Sequence, residues 1–188
     1  MTRDERGMLL ALARESVRAA AAGEKLPAVP AGAPFSGRGG AFVTLKTSSG
    51  ALRGCIGHFS GIVSIGETIV RMAAAAAVED PRFPAVTPRE VDRLRVEISI
   101  LSPMTPASPS DVVPGTHGVY VRSGPFAGTL LPQVASEEGW DRDTLLSHAC
   151  MKAGLRPDAW MRADSHLEIL TYTAEVFGED RKKGARSE

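Results

Sequence analysis

The segment Leu52-Arg53-Gly54-Cys55-Ile56-Gly57 sets a thiol between two glycines and two residues away from a guanidinium. Positive charge and accessible backbone N–H groups stabilise a thiolate and the negative charge that develops when it attacks an electrophile, so the pattern points to Cys55 as a nucleophile. A thiol nucleophile needs a base. His58, three residues on, is the nearest imidazole, and His117, framed by glycines in Gly115-Thr116-His117-Gly118, is the second. The competing reading is packing, because free cysteine is among the most buried residue types and a small thiol fills a gap between a hairpin and a helix. Each histidine serves equally well as a surface or hydrogen-bonded residue. Cys55 with His58, or His148 with Cys150, would offer thiolate and imidazole to a metal. Neither pair has zinc-finger spacing, and the second stands at i, i+2 on a helix, pointing to different faces. No metal is expected, and no cofactor either, since there is no phosphate-binding glycine loop or dinucleotide fingerprint.

The elements that must hold these residues follow from periodicity. Ala41 to Thr47 alternates, Ser48-Ser49-Gly50 turns, and Leu52 to Gly57 returns, which predicts a β-hairpin with Arg53 and Cys55 on one face and Leu52, Gly54 and Ile56 on the other. Gly54 and Gly57 permit close backbone approach around the thiol. Before the hairpin, Thr2 and Glu5 form a capping box for a helix that Gly23 stops, and the Pro/Gly/Ala-rich stretch from Leu26 to Gly40 is a surface loop pinned by Phe35. After it, Ser64 and Glu67 cap an alanine-rich helix ending near Val78. Asp80-Pro81-Arg82-Phe83-Pro84 is a rigid loop, and Thr87-Pro88-Arg89-Glu90 opens a short helix. Leu94, Val96, Ile98 and Ile100 alternate with Arg95, Glu97 and Ser99, a strand with one core face. Ser102 to Pro114 carries four prolines and reads as a loop or lobe boundary. Gly118 to Arg122 and Phe126 to Leu131 are short strands, Gln133 to Glu138 and Asp143 to Ala153 helices, and Trp140 and Trp160 anchors under loops. Leu167 to Phe177 is predicted as one strand covered on both faces, with a flexible charged tail over 179–188.

A chain of 188 residues is long enough for one folding unit, or for two lobes sharing a core. Its 22 Lys+Arg balance 22 Asp+Glu, which leaves no bulk electrostatic footprint for nucleic acid or an anionic membrane, and only 5% aromatic residues leave little for base stacking. The longest apolar run, Met72 to Val78, is far short of the roughly 20 residues that span a bilayer. Arg3, Asp4, Glu5 and Arg6 interrupt any secretion signal, and two cysteines are too few for a disulfide framework, so a cytoplasmic protein with free thiols is expected.

Taken together, Leu52-Arg53-Gly54-Cys55-Ile56-Gly57, Asp80-Pro81-Arg82-Phe83-Pro84, the Glu97-containing strand up to Leu101, Leu130-Leu131-Pro132-Gln133-Val134-Ala135, Gly139-Trp140-Asp141 and Lys152-Ala153-Gly154-Leu155 resemble, in order, the motif blocks of the AMMECR1 domain family, the A component of the AmmeMemoRadiSam system. The resemblance covers roughly Phe35 to Gly178. One departure is His58, where the family often carries a small polar residue such as threonine. The resemblance implies an α+β fold, a single domain over 1–178 in two lobes, with the larger lobe built from both chain ends around an antiparallel sheet flanked by helices. The family's reaction is not established. Its relatives often occur beside, or fused to, a Memo-type protein resembling extradiol dioxygenases and a radical SAM protein, which makes these the implied partners. Arg53, Arg82 and Glu97 lie in the motif blocks, either as a site for an anionic substrate or as an ion-pair network joining hairpin, loop and strand.

The resulting expectation is a cleft bordered by Cys55 and lined by Arg53, His58, Glu97 and His117, acting by thiol chemistry on a small or peptide-like substrate. In that scheme Cys55 attacks, His58 or His117 removes its proton, Arg53 holds an anionic group, and the Gly54 to Gly57 backbone stabilises the oxyanion. The alternative is a non-catalytic module that docks a Memo-like or radical SAM partner, with Cys55 as packing. The sequence leaves the oligomeric state open.

Overall fold

The computed structural model describes residues 1–59, 61–162 and 166–179. Of the tail expected over 179–188, all but Glu179 lies outside the described residues.

Helix α1 (Arg3–Ala22) starts at its capping box. Thr2 Oγ1 accepts from the Glu5 N–H and the Glu5 carboxylate accepts from the Thr2 N–H, and Gly23 ends the helix in the left-handed conformation. The hairpin follows as β1 (Ala41–Lys46) and β2 (Leu52–His58), and the Ser64–Glu67 box opens α2 (Ile65–Val78). Strands β3 (Arg95–Leu101), β4 (Thr105–Pro106), β5 (Gly118–Ser123) and β6 (Phe126–Leu130) come next. Helices α3 (Pro132–Glu138) and α4 (Arg142–Lys152) then precede β7 (Glu168–Tyr172) and β8 (Ala174–Gly178). These elements form two antiparallel sheets with helices, an α+β fold. Among the described residues no helix is long and apolar enough to cross a membrane.

The chain divides into two compact units, Met1–Ile100 with the stretch from Glu175, and Leu101–Ala174. In the first, the sheet order is β2-β1-β3-β8. Helix α2 packs on β1 and β2, and α1 packs on α2. Ala41, Val43 and Leu45 of β1 join Val96 and Ile98 of β3 in a core with Leu9, Val17, Ile69 and Ala73. Period-2 alternation therefore turns Phe42, Thr44, Lys46, Arg53, Cys55, Arg95, Glu97 and Ser99 to the other face of the sheet. Gly54 lies on the helix side, where a Cβ would stand 2.1 Å from the Ala76 carbonyl oxygen, so its bare backbone is what lets the alanine-rich helix sit this close.

In the second unit the order is β4-β7-β5-β6, and α4 packs on β5 and β6. Val119, Val121, Leu145, Leu146 and Ala149 form its core. Trp140 and Trp160 pack at its margin. Trp140 stacks on His148 at 4.0 Å and Trp160 donates to Ser147 Oγ.

Three local expectations change. The segment after Thr87 forms a turn and a single 3-10 turn, Val91–Arg93, because the Glu90 carboxylate folds back to accept from the Thr87 N–H and hydroxyl and Val91 is buried at once. The stretch expected as one strand from Leu167 to Phe177 is two, β7 and β8, which belong to different sheets. Its apolar character on both faces reflects two cores, one for each half. Within the proline-rich stretch after Ser102, β4 is a two-residue strand at a sheet edge, where Pro106 needs no N–H for pairing.

Candidate functional site

Strand β2 is the edge of its sheet, and its register fixes the neighbours of the thiol. Cys55 stands opposite Thr44, and Thr44 stands opposite Glu97, so Cys55, Thr44 and Glu97 form a row across three strands on the face away from the helices. The Thr44 hydroxyl donates to Cys55 Sγ at 3.2 Å. One step along, Lys46 of β1 faces Arg95 of β3, and the Lys46 ammonium donates to both Glu97 carboxylate oxygens at 2.9 and 3.0 Å. On the other side of the row, the Phe42 ring fills the space that a Cβ at Gly57 would need, with ring atoms 2.1 Å from that position, and Phe59 meets Phe42 edge-on at 5.0 Å. Cys55 is half-buried in this setting.

An edge strand leaves one row of backbone groups without a strand partner. At Cys55 the loop after α2 supplies it. The Cys55 N–H donates to Asp80 Oδ2 at 2.8 Å, and Arg82 Nη2 donates to the Cys55 carbonyl at 3.2 Å. Asp80 and Arg82 are themselves paired, Nε to Oδ1 at 2.9 Å and Nη2 to Oδ2 at 2.7 Å. The two side chains thus do at one residue what a neighbouring strand would do. Because the groups of Cys55 point outward, those of Gly54 and Ile56 point to β1. Asp80 is buried, and its carboxyl is held well below the usual carboxylate range. The Arg82 hydrogen bonds are the largest cause, opposed by desolvation and helped by the Cys55 and Arg82 N–H groups. Arg82 is pushed up, first by its bond to Asp80 and to a lesser degree by Cys55, and its guanidinium meets Cys55 at the backbone carbonyl.

The remaining expected residues fall in different places. Arg53 shares the face of Cys55, but its nitrogens are engaged by the chain itself. Nε and Nη2 reach Glu90, Nη1 donates to the Pro84 carbonyl and Nη2 to the Ala85 carbonyl. Glu90 is held below its ordinary value, first by the Thr87 N–H and hydroxyl and then, against desolvation, by Arg53. Gly54 and Gly57 are sites of close approach, to Ala76 and Phe42. His58 pairs with Ala41 and by alternation turns toward the face of Gly54 and Ile56, opposite to Cys55. His117 belongs to the second unit, where its Nδ1 accepts from the Val113 N–H at 3.2 Å. Cys55 and Glu97 therefore share a row, His58 occupies the other face, and His117 the other unit. Thr44, Lys46, Asp80 and Arg95 were not among the expected site residues. Alternation along Ala41–Lys46 already places Thr44 and Lys46 on the thiol's face, whereas the approach of Asp80 to Cys55 has no local signal. His148 and Cys150 lie on α4, with Cys150 fully buried and its thiol pushed up by desolvation.

The family model described as AMMECR1 matches residues 10–177. A protein of Aeropyrum pernix is 43% identical over 165 residues, spanning 83% of this chain and 71% of that protein. Protein MK0488 of Methanopyrus kandleri is 40% identical over 194 residues, spanning 98% and 93%. The crystal structure of the uncharacterised protein PH0010 from Pyrococcus horikoshii superposes with a TM-score of 0.88 at 35% identity, covering 98% of this chain and 96% of that one.

Proposed function

The chain belongs to the AMMECR1 family, and on that premise we propose that the face of its first sheet turned away from the helices is a thiol-dependent site for a small or peptide-like substrate. The observation that carries the reading is the setting of one half-buried thiol: the Thr44 hydroxyl donates to its sulfur at 3.2 Å, and the Arg82 guanidinium is held at the same residue by its bond to the Cys55 carbonyl. The Thr44 hydroxyl orients the sulfur, and the Arg82 guanidinium adds positive charge near the electrophile, onto which negative charge passes as the carbon–sulfur bond forms; both are held in position beforehand, Thr44 by the sheet and Arg82 by Asp80. Phe42 and Phe59 supply an apolar wall. Glu97, across Thr44 in the same row, is engaged on both oxygens by Lys46, so the thiol proton passes to solvent rather than to this carboxylate. Arg53, Gly54 and Gly57 shape the hairpin in this reading, and the engagement of the Cys55 N–H by Asp80 leaves that donor unavailable to an oxyanion.

The test is alkylation of the native protein by iodoacetamide, followed residue by residue by mass spectrometry, with the buried Cys150 as internal reference. Cys55 reacts within about tenfold of its rate in the denatured chain while Cys150 stays protected, and Arg82→Gln or Thr44→Val slows Cys55 several-fold. Protection of Cys55 until unfolding would overturn the proposal. It would leave Cys55 as packing and favour the docking module for a Memo-like or radical SAM partner.

A further inference from the structure

One row along from the thiol, the same sheet face holds a cavity of about 210 Å³ lined by Lys46, Arg95, Val96, Glu97, Gly178 and Glu179. Its lining carries two cations, Lys46 and Arg95, and two carboxylates, Glu97 and Glu179, which are not paired with one another one to one. Glu97 is taken by Lys46, and Glu179 by Arg14 and the Val96 N–H. Among the described residues Arg95 pairs with neither carboxylate, and its Nε is buried without a hydrogen-bond partner. Lys46 and Arg95 also stand directly opposite one another in the β1–β3 register, and Glu97 compensates Lys46 alone. A buried donor without an acceptor calls for one, and a guanidinium fork matches two oxygens of a carboxylate or phosphate.

We infer that the Lys46–Arg95 end of this face is an oxyanion subsite, which takes a carboxylate or phosphate group of the substrate. The inference rests on the reading of this sheet face as the functional site and adds a substrate class to it. The volume is below the roughly 300–1,000 Å³ of a complete small-molecule pocket, which suits one charged group and not a whole ligand. Two strand spacings and two residues separate Arg95 from Cys55, about 12 Å between backbone positions, so the substrate is a small anionic molecule whose electrophilic centre lies at about that reach.

The experiment follows the Arg95 Nε–H resonance of the full chain by NMR during titration with inorganic phosphate and, separately, sodium acetate at constant ionic strength. The resonance is assigned by its loss in Arg95→Gln. Saturable shifts are expected with a dissociation constant in the millimolar range, on the order expected for one charged group in a partly exposed pocket. Arg95→Lys, which keeps the charge and loses the fork, weakens binding about tenfold as read on the Lys46 and Val96 signals, and guards against a misfolded Gln variant. The anion that saturates first distinguishes a tetrahedral from a planar group. Shifts that fail to saturate with both anions, or that persist at Lys46 and Val96 in Arg95→Gln, overturn the subsite. The alkylation of Cys55 reports separately. A reactive Cys55 with no anion binding removes the subsite alone, and anion binding with a protected Cys55 removes the thiol chemistry while the subsite stands.

Discussion

Replacing Asp80 by Asn keeps the shape of a buried side chain and removes its charge. The carboxylate now accepts four hydrogen bonds, from the Cys55 N–H, the Arg82 N–H, and Arg82 Nε and Nη2. In Asp80→Asn one of the two oxygens becomes an NH2 group, so whichever way the amide turns, two of the four donors face another donor. Hydrogen bonds to charged groups contribute about 1.5–3 kcal/mol each when buried, but Arg82 is half exposed and its share is screened, which brings the expected cost to about 2 kcal/mol. The pH dependence carries the sharper test. The folded-state pKa of Asp80 lies below its unfolded value, so its contribution is complete above the unfolded value of about 4 and is lost as pH falls from there, at about 1.4 kcal/mol per pH unit. Urea unfolding of wild type and variant at neutral pH should differ by about 2 kcal/mol, and at pH 3 by less than about 1 kcal/mol. A gap at neutral pH below about 0.5 kcal/mol, or a gap of 2 kcal/mol that does not change with pH, would refute the claim that the charged Asp80–Arg82 pair holds the edge of β2.

Gly54→Ala places a Cβ 2.1 Å from the Ala76 carbonyl oxygen, a backbone atom that moves only with α2, so urea unfolding should show a loss of about 3 kcal/mol. Gly7→Ala, on α1 with no atom within 4 Å of the added carbon, should instead gain about 0.5–1 kcal/mol, and equal effects of the two substitutions would contradict the packing argument. Tyr172 is pushed up to about 12 by burial, with its hydrogen bond to Thr129 acting the other way. Ultraviolet titration of Tyr120→Phe should therefore show the remaining phenol ionising near that value, and later still in Thr129→Val. Because the folded state holds this proton more tightly, its contribution to stability is complete below about pH 10 and lost as pH rises from there, and ionisation near 10 in the native protein would contradict the burial.

Much of the first unit is legible in the chain. The Thr2–Glu5 and Ser64–Glu67 boxes mark the starts of α1 and α2, since capping depends on residues three apart. Alternation marks β1, β2 and β3 and puts Arg53 with Cys55. The same alternation turns His58 away from Cys55, so its pairing with the thiol as a base is at odds with a signal the sequence already carried. The division of 167–177 between β7 and β8 was hidden, because apolar residues on both faces look alike whether one strand is covered twice or two strands serve two cores.

What the sequence alone determined is therefore local: helix starts and stops, the hairpin, the face on which the thiol lies, and, through ordered motif blocks, the family. Tertiary structure alone decided what meets the thiol. Asp80 and Arg82 reach Cys55 across 25 and 27 residues, Arg53 finds Glu90 across 37, and among the described residues Lys46 takes Glu97 and Arg14 takes Glu179 while the Arg95 Nε has no partner. Each outcome is a competition among charges brought together by packing, and periodicity along a chain carries no information about which competitor lies closer.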